Sequence, residues 1–288
     1  MRVFDLHADT MLDILNQDLK GETDTLARRH IPDYKTGEVE GLIYALWVPT
    51  SEEAAQEFTP EASGFKPQEI MMRMIARSFR EFRETDGVEV AYHLSDFPAI
   101  RERGKVPVIL GIEGFYGFNG DPDMVDVMYR LGFRHGMLTW NDDNEFAAGA
   151  TFTGEDKGLT PQGIQVVRRM EELGMIIDVS HASEKTFWDI MENTSAPVIA
   201  SHSNAWALCH HPRNLKDDQI RAIAERGGVI GMNTWWEFIN ERGPGVTGAD
   251  VNDLAAHARY IADLVGPATV GCGFDFCNYI QEDRKSVV

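Results

Sequence analysis

A parallel (β/α)8 barrel is the fold class that this sequence predicts. Eight short apolar runs recur along the 288 residues, helical patterns lie between most of them, and imidazoles or carboxylates stand at the ends of five of the runs. Strand-like runs alternating with helices indicate a parallel sheet with its helices on the outside. A doubly wound open sheet alternates in the same way, so the run ends decide: in a barrel, chemistry gathers at the C-terminal ends of the strands.

The apolar runs cover residues 2–7, 41–48, 106–113, 133–139, 175–180, 197–201, 228–233 and 269–275. Helical periodicity fills residues 10–16, 67–83, 123–131, 160–173, 183–191, 216–225 and 250–264. Between the second and third runs, residues 88–93 read as an extra strand. Thr160-Pro161 places an N-cap before a proline in the first helical turn. Ser183 and Thr186 open the next helix without a full capping box. After the eighth run only residues 276–288 remain, too few for a full eighth helix. No repeat, low-complexity tract or linker divides the chain, so residues 1–288 read as a single barrel domain.

Composition removes several functions. Asp and Glu number 46 against 27 Lys and Arg, a formal charge of −19, which is wrong for gripping a nucleic-acid backbone. No apolar run reaches membrane-spanning length, and the first seven residues are too polar for a signal peptide. Cys209, Cys272 and Cys277 are too few for a disulfide framework and lack C-x-x-C spacing. These features predict a cytoplasmic protein. Its length lets it bury roughly three quarters of the unfolded surface without staples.

The first run ends His7-Ala8-Asp9, and alternation puts His7 and Asp9 on one face. The third run ends in Glu113, the fifth leads into His181, the sixth into His202 and the eighth into Asp275. Each has a plainer reading: Glu113 as a carboxylate emerging into solvent, His181 and His202 as neighbours of helix N-caps. Asp275 lies between Phe274 and Phe276, where an unpaired carboxylate is costly. Taken together, imidazole and carboxylate suit zinc, manganese, cobalt or iron. Five or six such groups can hold two ions about 3.5–4 Å apart, sharing one carboxylate while another moves a proton.

The segments Phe4-Asp5-Leu6-His7-Ala8-Asp9-Thr10, Gly111-Ile112-Glu113-Gly114, Asp178-Val179-Ser180-His181, Ser201-His202-Ser203 with Pro212-Arg213-Asn214-Leu215, and Gly273-Phe274-Asp275-Phe276 resemble the membrane (renal) dipeptidase family of the metal-dependent amidohydrolases. The motifs run in order from residue 4 to about residue 280. The resemblance implies a (β/α)8 barrel with two zinc ions, manganese or cobalt being the substitutes, that hydrolyses dipeptides with a bridging hydroxide. By position, His7, Asp9 and Glu113 would hold one ion and Glu113, His181 and His202 the other. Asp275 would be the proton shuttle, and Arg213 would bind the substrate's terminal carboxylate, its planar fork suiting that task. Asp178 would orient a ligand or serve as a buried structural carboxylate. A homodimer is the assembly that the resemblance suggests.

Two departures stand out. Many members carry a histidine after the fourth strand, whereas this chain reads Thr139-Trp140-Asn141, and His135 lies too early on its run to take that place. Asn141 can donate a hydrogen bond there without imidazolium charge, and Trp235 or Trp236 is placed to line the cleft. The short tail is the second departure. A related amidohydrolase acting on a lactam or N-acyl amino acid, or an inactive barrel that only binds, are the competing readings.

Overall fold

The computed structural model describes residues 2–51, 54–56, 59–62, 64–241 and 249–276. Among the described residues nine strands form one sheet: β1 (Val3–Ala8), β2 (Val39–Trp47), β3 (Val88–Val90), β4 (Val106–Glu113), β5 (Phe133–Met137), β6 (Ile176–Asp178), β7 (Val198–Ile199), β8 (Ile230–Met232) and β9 (Val270–Cys272). Every pairing is parallel, in the order β7-β6-β5-β4-β2-β1-β9-β8. The ends of that path meet at a parallel bridge between Ala200 and Ile230. There the Gly231 amide donates to the Ala200 carbonyl at 2.8 Å, and the Ala200 amide to Val229 at 3.0 Å. The eight strands therefore ring an axis, as the run ends predicted, and the open-sheet alternative is excluded. The extra strand β3 lies outside the ring against the first half of β4, before β5 begins to pair at Leu110.

Closure demands small residues. A Cβ on Gly231 or Gly273 would come within 1.9 or 1.7 Å of the Ser201 carbonyl oxygen, so only glycine lets β8 and β9 approach β7 this closely. The strands are apolar along most of their length because their two faces meet the barrel interior and the helices. Tyr44, Phe115, Phe133, Phe146 and Phe187 are among the largest side chains buried completely.

The helices are α1 (Thr10–Leu19), α2 (Ile31–Thr36), α3 (Pro67–Glu84), α4 (Asp96–Glu102), α5 (Met124–Leu131), α6 (Pro161–Leu173), α7 (Glu184–Asn193), α8 (Asp217–Glu225) and α9 (Val251–Val265). Two N-caps read from sequence hold: Thr160 accepts from the Gly163 amide and Ser183 from the Thr186 amide, each at 3.1 Å. Two short helices, α2 and α4, were not anticipated, nor was the π-type turn Leu26–His30 that leads into α2. The expected shortage of chain after the last strand, and Cys277 with it, falls on residues 277–288, outside the described residues. Among the described residues no helix is long and apolar enough to cross a membrane.

Candidate metal centre

Register places the site. Paired residues Trp47, Glu113, Met137, Asp178 and Ile199 run in a row across β2, β4, β5, β6 and β7 at their C-terminal ends. Glu113 ends β4 in that row, and it is buried. His7 projects from β1 toward it, with Nε2 3.2 Å from Glu113 Oε2. His181 and His202, in the segments after β6 and β7, bring their Nε2 atoms to 3.0 and 3.6 Å from Glu113 Oε1. Asp9 Oδ1 and Asp275 Oδ1 stand 3.9 and 3.8 Å from His7 Nε2. All six residues singled out at run ends thus meet at one mouth of the barrel. Among the described residues two overlapping groups have the spacing to hold an ion, His7 with Glu113 and His202, and His7 with Asp9 and Asp275.

Local backbone features aim these side chains. Asp9 is the N-cap of α1, a position where aspartate ordinarily accepts from the first-turn amides, yet its side chain makes no such capping bond. His181 and Asp275 have φ of +64° and +57°, the left-handed region that costs a non-glycine residue free energy and collects at functional sites.

The donor set fits divalent cations. Both His7 ring nitrogens are buried without an aligned hydrogen-bond partner among the described residues. His181 Nδ1 lies 3.0 Å from Asn141 Oδ1, and His202 Nδ1 lies 2.8 Å from Ser201 Oγ. A proton on each Nδ1, accepted by those oxygens, turns both Nε2 lone pairs toward one another across 2.9 Å and toward an anionic carboxylate. Such convergence is repulsive until a positive charge lies between the three atoms. Imidazole nitrogen with carboxylate oxygen is the donor mixture of zinc, manganese and cobalt sites.

Burial and neighbouring charges displace these groups from their ordinary pKa values. Burial would lower His7, but Glu113, Asp9 and Asp275 outweigh it and push the imidazole up to about 10. Burial would raise Glu113, and the imidazoles of His7 and His181 outweigh that and hold it well below the usual carboxylate range. Burial, with Glu113 beside it, pushes Asp9 well up. Burial and the Arg213 charge drive His181 down to about 3, and burial with His7 drives His202 well below its ordinary value.

Around this cluster lie the groups expected to meet substrate. Arg213 is 3% exposed, donates through Nη2 to the His202 carbonyl at 3.3 Å, and keeps a buried Nε with no hydrogen-bond partner among the described residues. Burial lowers its guanidinium to about 10, so it stays charged at neutral pH. Together with His181, Ala148, Phe152 and Asp156 it lines a cavity of about 230 Å³. Asp275 Oδ2 accepts from Asn233 Nδ2 at 3.1 Å, and Asn233 Oδ1 accepts the Trp235 amide at 2.6 Å, so one asparagine ties two of the expected residues together. The half-buried Trp235 donates its indole N–H to Glu237 at 3.1 Å. Asn141, also expected at the substrate, has its side-chain oxygen 3.0 Å from His181 Nδ1. The Trp140 ring lies 6.0 Å from that of His181 and 5.1 Å from that of Trp47.

The sequence reading of the centre missed Asp5 and the pairing of His135 with Asp178. Asp5 shares the inward face of β1 with His7, and period-two alternation was the signal that could have found it. His135 and Asp178 form a buried pair at 2.7 Å. His135, too early on its strand to reach the ligands, occupies room left by Gly111, where a Cβ would approach its Nδ1 to 2.4 Å.

Comparison with known proteins gives a consistent picture. The family described as membrane dipeptidase (peptidase family M19) matches residues 1–284. An uncharacterized dipeptidase of Schizosaccharomyces pombe is 40% identical over 181 residues, 62% of this chain and 43% of that protein. The dipeptidase aclJ of Aspergillus oryzae is 35% identical over 174 residues, 60% of this chain and 41% of that protein. The chain thus matches less than half the length of these two relatives. Among solved structures, a Rhodobacter sphaeroides metallo peptidase liganded with a phosphinate mimic of the dipeptide L-Ala-D-Ala superposes with a TM-score of 0.84 at 26% identity, covering 96% of this chain and 86% of that one. A dipeptidase of family M19 gives a TM-score of 0.83 at 26% identity, covering 100% of this chain and 86% of that one.

Proposed function

The chain belongs to the membrane dipeptidase family, and on that premise we propose that it is a metal-dependent dipeptidase working at the mouth of its barrel. The observation that carries this reading is the convergence of three buried imidazoles on the two oxygens of one carboxylate, Glu113. His7, Asp9 and Glu113 would hold one zinc ion and Glu113, His181 and His202 a second, with manganese or cobalt accepted by the same donors. When bound, such a pair acidifies a water toward neutral pH and polarises a carbonyl.

The remaining work belongs to the chain. Asp275, its Oδ2 held by Asn233 and its Oδ1 turned toward His7, takes the proton released as the carbon–oxygen bond forms. It returns that proton to the nitrogen as the peptide C–N bond breaks, so one water is consumed and two amino acids leave. The Arg213 guanidinium, buried and charged, anchors the substrate's free carboxylate and fixes the distance from that end to the scissile bond. An anchor so close to His202 limits substrates to short ones. Asn141 orients His181, and Trp235 flanks the cleft beside Asp275. The ligand of the Rhodobacter relative, a phosphinate mimic of L-Ala-D-Ala, supports including L,D dipeptides among the substrates.

Trp140, near the place where the family resemblance implies a histidine, favours a second reading, hydrolysis of an N-acyl amino acid by the same residues. A panel of L,L and L,D dipeptides beside N-acyl amino acids, assayed on zinc-loaded protein, separates the two. Dipeptide turnover supports the proposal. A folded, zinc-loaded protein that cleaves none of the dipeptides overturns it.

A further inference from the structure

Two buried carboxylates outside the ligand set occupy matching positions. Asp178, at the end of β6, accepts the Ser180 amide at 2.8 Å and the Ser201 amide at 3.1 Å, both on Oδ1. Ser180 directly precedes His181, and Ser201 directly precedes His202. Asp5, on β1, likewise accepts the His7 amide at 3.3 Å and the Phe274 amide at 3.0 Å on its own Oδ1. Phe274 directly precedes Asp275. Each carboxylate therefore ties together two neighbouring strand ends at the residue carrying, or next to, a functional side chain.

From this pattern we infer that Asp178 is a positioning residue that sets His181 and His202 in mutual register for a shared cation, with Asp5 doing the same for His7 and Asp275. The inference rests on the metal-dependent reading above. Strands β6 and β7 have three and two residues, so their own ladder fixes little beyond them. The segments that follow must nevertheless bring two Nε2 atoms to one oxygen of Glu113. One acceptor oxygen shared by the two segments removes their independent motion. Further bonds run the same way: the His202 amide donates to Ser180 Oγ at 3.1 Å, and Ser201 Oγ meets His202 Nδ1. Asp178 is itself fixed, because Oδ2 accepts from His135 Nε2 at 2.7 Å. Three donors thus converge on one carboxylate, and an asparagine can satisfy only two of them. It would set N–H against N–H at His135 unless the imidazole moved its proton to Nδ1, which has no partner among the described residues.

The test compares wild type, Asp178→Asn and Glu81→Gln. Glu81, in the last turn of α3, is another buried carboxylate that holds backbone amides, accepting those of Thr25 and Leu26 at 3.0 and 3.2 Å. For each protein the Co2+ dissociation constant is measured by chelator competition, with the Co2+ d–d absorption spectrum and the melting temperature of the metal-free form. Asp178→Asn is expected to bind Co2+ about 10-fold more weakly, the lower end for loss of an outer partner of a ligand, with a changed d–d spectrum. Glu81→Gln is expected to lower the melting temperature while leaving affinity and spectrum unchanged. Asp178→Asn within twofold of wild type, with the same spectrum, overturns the inference alone, and so does an equal loss in Glu81→Gln. Wild-type protein that binds no Co2+ overturns the underlying reading as well. Should Asp178→Asn not fold, Asp5→Asn is read by the same criteria against the same control.

Discussion

His181 and His202 face each other Nε2 to Nε2 across 2.9 Å, with Glu113 Oε1 as the third corner at 3.0 and 3.6 Å. With a proton on each Nδ1, two imidazole lone pairs and a carboxylate meet in a buried space and repel one another. The arrangement is relieved by a cation or by a proton, and burial together with Arg213 and His7 works against protonating either ring.

Glu113 is the acceptor that this geometry shares among three rings, so Glu113→Gln removes the one charge common to the two proposed zinc sites. Zinc affinity, measured by chelator competition, should fall about 100-fold or more, beyond what losing an outer partner costs. Retention of wild-type affinity would mean that the ions, if bound, lie elsewhere.

Asp275 is the group assigned to carry the proton. Asp275→Asn should lose about 10²–10⁴-fold in kcat, the usual worth of a positioned acid–base group, with zinc content unchanged. Steady-state kinetics beside metal analysis checks this. A kcat near wild type would remove Asp275 from the reaction.

Arg213 should reveal itself through the substrate's free carboxylate. Converting that carboxylate to an amide should cost wild type about 10–100-fold in kcat/KM, as expected when a hydrogen bond between charged groups is lost. Arg213→Met should discriminate little between the two substrates. Equal discrimination by both proteins would assign Arg213 a purely structural role.

Much of this architecture was legible in the sequence. Strand ends carrying His7, Glu113, His181, His202 and Asp275 were readable because apolar runs mark parallel strands and a polar residue closing such a run has to be accommodated. Which residues close the barrel was not legible, because closure rests on a single-residue bridge, Ala200 with Ile230, which leaves no periodic trace. Short helices such as α4 span too few residues to develop an apolar stripe. The positions of Asp178 and His135 depend on register between strands distant in sequence, and nothing local to either residue encodes that pairing.

Away from the centre, Asp13 offers a test of buried electrostatics. Burial opposes its charge, but His30, Arg29 and Gln17 together hold its carboxyl below the usual value. A folded-state pKa below the unfolded one stabilises the protein above about pH 4, and that contribution fades as pH falls through the folded value. Asp13→Asn should therefore melt several degrees below wild type at pH 7, at about 2–4 °C per kcal/mol. The gap should narrow below about pH 4. A gap independent of pH would assign the loss to packing.

Anomalous scattering from crystals grown with excess zinc addresses the central claim most directly. Two peaks are predicted, one among His7, Asp9 and Glu113, the other among Glu113, His181 and His202. No anomalous density at these five side chains, in crystals whose barrel is intact, would contradict the account.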